Sequence, residues 1–173
     1  AAAQAKKQLG YDRIDLAIVF NTVHYAPEEF LHVLNNELHR TRIVGCSSAG
    51  IISPDRPLIR GLGIAVLASD TIRFEAGCVN HLHMQDPALA GKTLFQNALS
   101  DFGIEQRKIF ICLADGLLNN LTDVLAGFNA QDAGKVIVAG AGASDNFLFS
   151  KTSQHFREKS FTHSAVGLFL RSE

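Results

Sequence analysis

The chain has 173 residues, 47% of them apolar, and 16 Lys and Arg against 17 Asp and Glu give a formal net charge of −1. That length suits one domain whose core needs no disulfide or metal. The charge balance excludes a general electrostatic drive toward nucleic acid or anionic membrane, and no apolar run reaches the roughly 18 residues of a bilayer span.

In chain order, residues 1–9 favour a helix, with Gly10 as its stop. The chain opens inside that helix without a Met, so the expectation is a segment of a longer protein. Asp15–Phe20 is almost continuously apolar, as a strand buried on both faces is. Pro27-Glu28-Glu29 starts a helix with Pro and acids in its first turn, and Phe30, Leu34 and Leu38, with Leu31 and Val33 beside them, form its apolar stripe. His39 and Arg40 close it. Arg42–Ser47 reads as a strand that runs into Ser48-Ala49-Gly50. Gly63–Ala68 and Thr71–Ala76 read as antiparallel strands turned by Ser69-Asp70.

A similar order then begins again. Asp86-Pro87 caps a helix carrying Leu94, Phe95, Ala98, Leu99 and Phe102, which stops at Gly103. Lys108–Leu113 is a strand, and Asn120 caps a helix ended by Gly134. Lys135–Gly140 is a strand that flows into a loop, Ala141-Gly142-Ala143-Ser144-Asp145. Hairpin strands are expected around 147–152 and 154–161, and a last strand at Ser164–Leu170. Strand–helix–strand crossovers imply parallel pairing, and hairpins antiparallel pairing. The expected fold is α/β, one domain over 1–173. Its mixed parallel and antiparallel sheet carries packed helices, in two pseudo-duplicated β-α-β-β halves at about 11–80 and 86–172.

Ligands of open α/β sheets bind outside the carboxyl ends of parallel strands. Two small-residue segments fall there: Gly45-Cys46-Ser47-Ser48-Ala49-Gly50 and Gly140-Ala141-Gly142-Ala143-Ser144-Asp145. Gly45, Cys46, Ser47, Ser48, Gly50, Gly140, Ala141, Ser144 and Asp145 are therefore the candidate ligand-binding residues, in one shared cleft. Backbone N–H groups near Ser47, Ser48 and Ala49 would face a carboxylate, and Asp145 an amine.

These residues also carry a resemblance. The succession of Asp15–Phe20, Val44–Gly50, Gly63–Ser69, Asp115-Gly116 and Val138–Asp145 resembles the N-terminal part of the FIST family, over nearly the whole chain. Its most specific element is Gly-Cys-Ser/Thr-x-x-Gly, matched by Gly45, Cys46, Ser47 and Gly50. The second family signature has paired glycines, where this chain has Gly140-Ala141. The resemblance implies a sensory domain of intracellular signal transduction, binding a small ligand such as an amino acid. It also implies a C-terminal companion domain and signalling output modules as partners, with no nucleic acid, membrane or cofactor.

Other chemistries are weaker. Cys46, Cys78 and Cys112 are an odd, widely spaced set, which fits a reducing cytoplasm rather than a disulfide framework. A Cys46–His24–Asp115 grouping would make a thiol hydrolase or transferase, the alternative to a sensor, but a thiol enzyme needs a base at its sulfur. A third reading is an interaction scaffold that binds no small molecule. His81-Leu82-His83 reads as strand alternation, lacking the further ligands of a zinc site, and His155 and His163 have no evident partner. Gly140-Ala141-Gly142 lacks the third glycine of a dinucleotide loop.

Overall fold

The computed structural model describes residues 2–11, 13–39, 41–53, 55–99, 108–131 and 135–172. The expected helix stops at Arg40, Gly103 and Gly134, with Phe102, lie outside the described residues. Alternation along the strands sorts side chains onto two faces. In β1 (Leu16–Asn21), Ala17 and Val19 face one way, and Leu16 and Ile18 the other. Both faces are buried, which is why the strand reads as continuously apolar. Beside it lie β2 (Arg42–Ser47), parallel, and β5 (Leu62–Leu67), antiparallel. The hairpin of β9 (Gln154–Phe156) and β10 (Lys159–Phe161) completes a sheet ordered β10-β9-β2-β1-β5.

A second sheet is ordered β6-β11-β7-β8, from β6 (Ile72–Val79), β7 (Lys108–Asp115), β8 (Val136–Ala143) and β11 (Ala165–Ser172). Here β7 and β8 are parallel and β11 is antiparallel to both β6 and β7. A two-strand ribbon, β3 (Ile51–Ile52) with β4 (Pro57–Leu58), stands apart. The mixed pairing and packed helices are as expected, but there are two mixed sheets, not one. Each holds three strands in one order, β2-β1-β5 and β8-β7-β11. Beyond those strands the halves interchange: β6 joins the second sheet, and β9 with β10 joins the first. The β-α-β-β cores β1-α2-β2-β5 and β7-α4-β8-β11 thus each stay within one sheet, but the halves at 11–80 and 86–172 do not, because each lends its remaining strands to the other sheet.

The layers follow from the two faces. Leu16, Val44, Phe74, Val166 and Leu168 pack the sheets against each other. On the outer face of the first sheet, α1 (Ala2–Leu9) and α2 (Pro27–Glu37) cover Ala17, Val19 and Ile43 with Leu31 and Leu34, joined by Leu38. Val33 of the expected stripe is instead exposed. On the outer face of the second, α3 (Pro87–Leu99) and α4 (Leu121–Asn129) bring Phe95 and Phe128 onto Phe110 and Phe169. Phe110 and Phe128 stack at 4.1 Å, and Phe95 meets Phe128 edge-on at 5.0 Å. Fully burying each such ring contributes roughly 1.5–3 kcal/mol. The architecture is helix, sheet, sheet, helix.

Three sequence expectations are corrected. β5 and β6 do not form a hairpin. Ile72, Phe74, Ala76 and Cys78 supply the inter-sheet core while Val79 enters the helix-side core, so β6 has two faces to bury and crosses to lie under α3. Arg13, paired with Asp15 and Asp70, braces that crossing. Residues 147–152 are not a strand. Asn146, Phe147 and Phe149 adopt positive φ in a turn, and Phe147 is 77% exposed. Ala141–Ala143 is not a loop but the end of β8, because it pairs with Leu113–Asp115.

Gly45 is a steric requirement. A Cβ there would lie 1.9 Å from the Val19 carbonyl oxygen on β1. Gly45→Ala therefore forces the two central strands apart, with an expected loss of about 2–4 kcal/mol of stability. Urea denaturation of the wild type and the variant measures it.

Candidate functional site

The parallel pairs of both sheets end at one place. Asn21 and Ser47 close β1 and β2, and Asp115 and Ala143 close β7 and β8. Just below, Phe20, Cys46, Leu113 and Ala143, with Ile111, meet in a small apolar cluster drawn from all four strands. The two small-residue segments are joined directly: Ser144 N–H donates to the Ser47 carbonyl at 3.1 Å. Above lies a cleft of about 740 Å³, within the size range of small-molecule sites. A comparable hollow, about 830 Å³, lies beside Asp15, Thr41 and Arg42 at the amino ends of β1 and β2. The carboxyl ends are where α/β sheets gather loops around ligands.

Of the expected site residues, Ser47 and Asp145 line the cleft. Their polar groups are largely engaged. Ser47 N–H donates to the Ser153 carbonyl, and Ser47 Oγ accepts from Ser153 N–H at 3.0 Å. Ser48 N–H donates to the Asn21 carbonyl. These two amides hold the loop rather than face a carboxylate. Asp145 is buried, and its carboxylate accepts from the N–H groups of Phe149, Ser150 and Lys151 at 2.7–3.0 Å. Burial alone would raise its pKa, but these amides and that of Leu148 hold it below the usual value. It anchors the 146–151 turn instead of awaiting an amine.

The others sit farther from the opening. Gly45 and Cys46 are inside β2. Gly50 borders the β3–β4 ribbon, its carbonyl accepting from Ser48 Oγ. Gly140 and Ala141 line a different hollow, of about 200 Å³, beside Leu121 and Leu125 of α4.

The Cys46 thiol is packed among Phe20, Leu113 and Ala143. Burial, with a smaller contribution from Cys112, pushes its pKa up to about 12. Asp115 pairs with His163 rather than His24, and the His24 ring sits against Thr22 Oγ1 at 3.1 Å. The Cys46–His24–Asp115 grouping is not assembled among the described residues.

Sequence reading missed much of the lining: His81, His83, Lys151, Thr162 and His163, with Asn21 at the floor. His81 is left-handed and starts a short 3₁₀ turn, Leu82–Met84, so His81 and His83 do not alternate on a strand. The His83 and His163 rings lie 4.3 Å apart. Asp115, 1% exposed, lies 3.3 Å from His163 Nδ1 and accepts Thr152 Oγ1–H at 2.6 Å and Leu117 N–H at 2.9 Å. Gln154 extends the chain by donating to Thr152 Oγ1 at 3.0 Å. Among the described residues no three His, Cys, Asp or Glu side chains converge as a metal ion needs.

His155 also has a partner. The Asn21 amide nitrogen donates to the Thr22 and Tyr25 carbonyls, so its oxygen receives His155 Nε2–H at 2.7 Å. Phe30 of α2 meets the ring edge-on. This buried pair shapes the cleft floor.

The arrangement is a two-sheet α/β scaffold with a cleft at the meeting strand ends. The family model for the FIST N domain matches residues 15–173, and the chain belongs to the FIST family, whose domains serve as sensors in signal transduction. No curated protein is matched.

Two outcomes follow. Iodoacetamide near neutral pH should leave Cys46 and Cys112 unmodified until the chain unfolds, since burial holds both thiols near pKa 12; peptide mass spectrometry checks it. Burial lowers the His155 pKa from 6.5 to about 4. As pH falls, the unfolded chain takes up that proton first. The contribution of neutral His155 is full above pH 6.5 and is lost between 6.5 and 4, amounting to about 3 kcal/mol. His155→Gln, which keeps a donor for Asn21, should flatten that part of a stability–pH profile.

Proposed function

We propose that this domain senses a small metabolite, such as an amino acid, bound in the 740 Å³ cleft. The observation that carries the reading is the convergence of both parallel pairs on that cleft, with their terminal loops locked together by Ser144 N–H to the Ser47 carbonyl. Apolar Val23, Tyr25 and Phe161 stand beside hydrogen-bonding Ser153, Ser160 and Thr162 in the lining, the mixture that binds and orients a small organic molecule. Membership of a family of signal-transduction sensors supports it.

The 146–151 turn is the element that ligand would move. It is tethered through the Asp145 carboxylate and presents Leu148, Ser150 and Lys151 to the cleft. Ligand that binds one position of the turn better than another shifts its population. A partner, an output module or a companion domain, would read that shift. A cytoplasmic setting agrees with three free cysteines.

The test is a thermal-shift screen of amino acids and related metabolites. A ligand at about 100 times its Kd stabilises by about 2.7 kcal/mol, raising Tm by roughly 5–10 °C in a domain of this size. Val23→Trp, which brings a large ring into the cleft from a half-exposed position, should abolish the shift without lowering the unliganded Tm. A ligand whose shift survives Val23→Trp binds elsewhere, and a broad panel with no shift removes the sensor reading.

A further inference from the structure

We propose that His81, His83, Lys151 and His163 form an oxyanion subsite, one wall of the cleft that grips an acidic group of the ligand, carboxylate or phosphate. The inference rests on the reading of the cleft as a ligand site and adds the charge of what enters it. All four residues line that cavity.

The four come from three stretches of chain, two of which, 81–83 and the one holding His163, are pinned together. Leu82 N–H donates to the His163 carbonyl at 2.8 Å, and the Leu82 side chain is buried beneath. His83 and His163 are thereby held ring to ring at 4.3 Å, with His81 6.4 Å from His83. His81 and His163 both have left-handed backbones, at φ 58° and 49°. Such strained non-glycine conformations gather at ligand clamps. Lys151 is fixed from the other side, its N–H donating to Asp145 Oδ2 at 3.0 Å. A prearranged set of donors binds without the entropy of gathering it.

Two acids near this wall, Asp145 and Asp115, are already satisfied. Asp145 is surrounded by backbone N–H groups. Asp115 is shared among Thr152, Leu117 N–H and His163 Nδ1. A third acid, Glu28 in the first turn of α2, also lines the cleft. No ion pair joins Lys151 to an acid among the described residues. With Nδ1 turned to Asp115, His163 has Nε2 left for a ligand. Lys151 brings N–H donors to an acidic oxygen, and His163 Nε2 adds another when the ring is doubly protonated, with Asp115 at Nδ1 balancing that charge. A smaller recess of about 310 Å³, reaching Asp115, adjoins the cleft through Ser150, Lys151, Thr162 and His163, leaving room for the group on this wall.

The experiment follows the histidine ring resonances of the whole chain by NMR during titration with malonate, with inorganic phosphate and with glycerol as the neutral control. Saturable shifts of His83 and His163 are expected with an anion and not with glycerol. Saturation by malonate alone assigns the subsite to carboxylates, and by phosphate alone to phosphates. His163→Asn, since Asn tolerates the left-handed backbone, and Lys151→Gln, which keeps the backbone tether, should each weaken binding roughly ten-fold or more. If His163→Asn fails to fold, Lys151→Gln decides alone. Unchanged affinity in the variants, or no saturable response to either anion, overturns the subsite. An uncharged metabolite blocked by Val23→Trp in a protein indifferent to both anions would overturn it while leaving the sensor reading intact.

Discussion

Ser47 is where the two sheets are made to end together. Its carbonyl receives Ser144 from beyond β8, its N–H reaches the Ser153 carbonyl, and its hydroxyl accepts from Ser153 N–H. One residue thus ties the first sheet to the exit of the second and to the segment that returns as β9. These bonds fix the two terminal segments to one another at the ends of sheets already packed through Leu16, Val44, Val166 and Leu168. The apolar cluster of Phe20, Cys46, Leu113 and Ala143 directly beneath excludes water from the junction, which strengthens each of those hydrogen bonds.

The small-residue stretch Gly45–Gly50 consequently has an architectural role that its composition does not announce. Gly45 is small because the β1 backbone lies against it. Cys46 is a compact apolar filler between sheets. Ser47 supplies the bonds that close the fold. A motif that suggests a binding loop instead builds the floor of the site, and the side chains able to meet a ligand come from segments with no evident signature.

The uneven legibility of the sequence has physical causes. β1 and β7, and the Phe95 and Phe128 faces of α3 and α4, were readable because burial on fixed faces imposes a period. The parallel pairing of β1 with β2 and of β7 with β8 was also readable, since strand–helix–strand crossovers impose it. Partner choice was not. Nothing local distinguishes a β6 that turns back on β5 from one that crosses to β11; that depends on which sheet can cover its second face. Ala141–Ala143 looked like a loop because small residues serve loops and close-packed strands alike. His155, His163 and Asp115 acquire their meaning from partners 134, 48 and 37 residues away, namely Asn21, Asp115 and Thr152. Their types are visible in the sequence, but the pairings are made by tertiary structure.

The interchange of strands between sheets has a consequence for how the chain acquires its structure. The strand that links β6 to β7 is β11, the final one, and the strand that covers the free side of β2 is β9, about 110 residues later in the chain. Neither sheet can therefore close while the first two thirds of the polypeptide stand alone. Each must wait for pairings of long sequence separation, which are slow to form because the entropy of closing the intervening loop is lost before the contacts repay it. The helices and the parallel pairs can assemble early from local contacts, but the cleft cannot. It comes into being only when residues 154–172 pair with strands made earlier, so the closed sheets and the cleft arrive together.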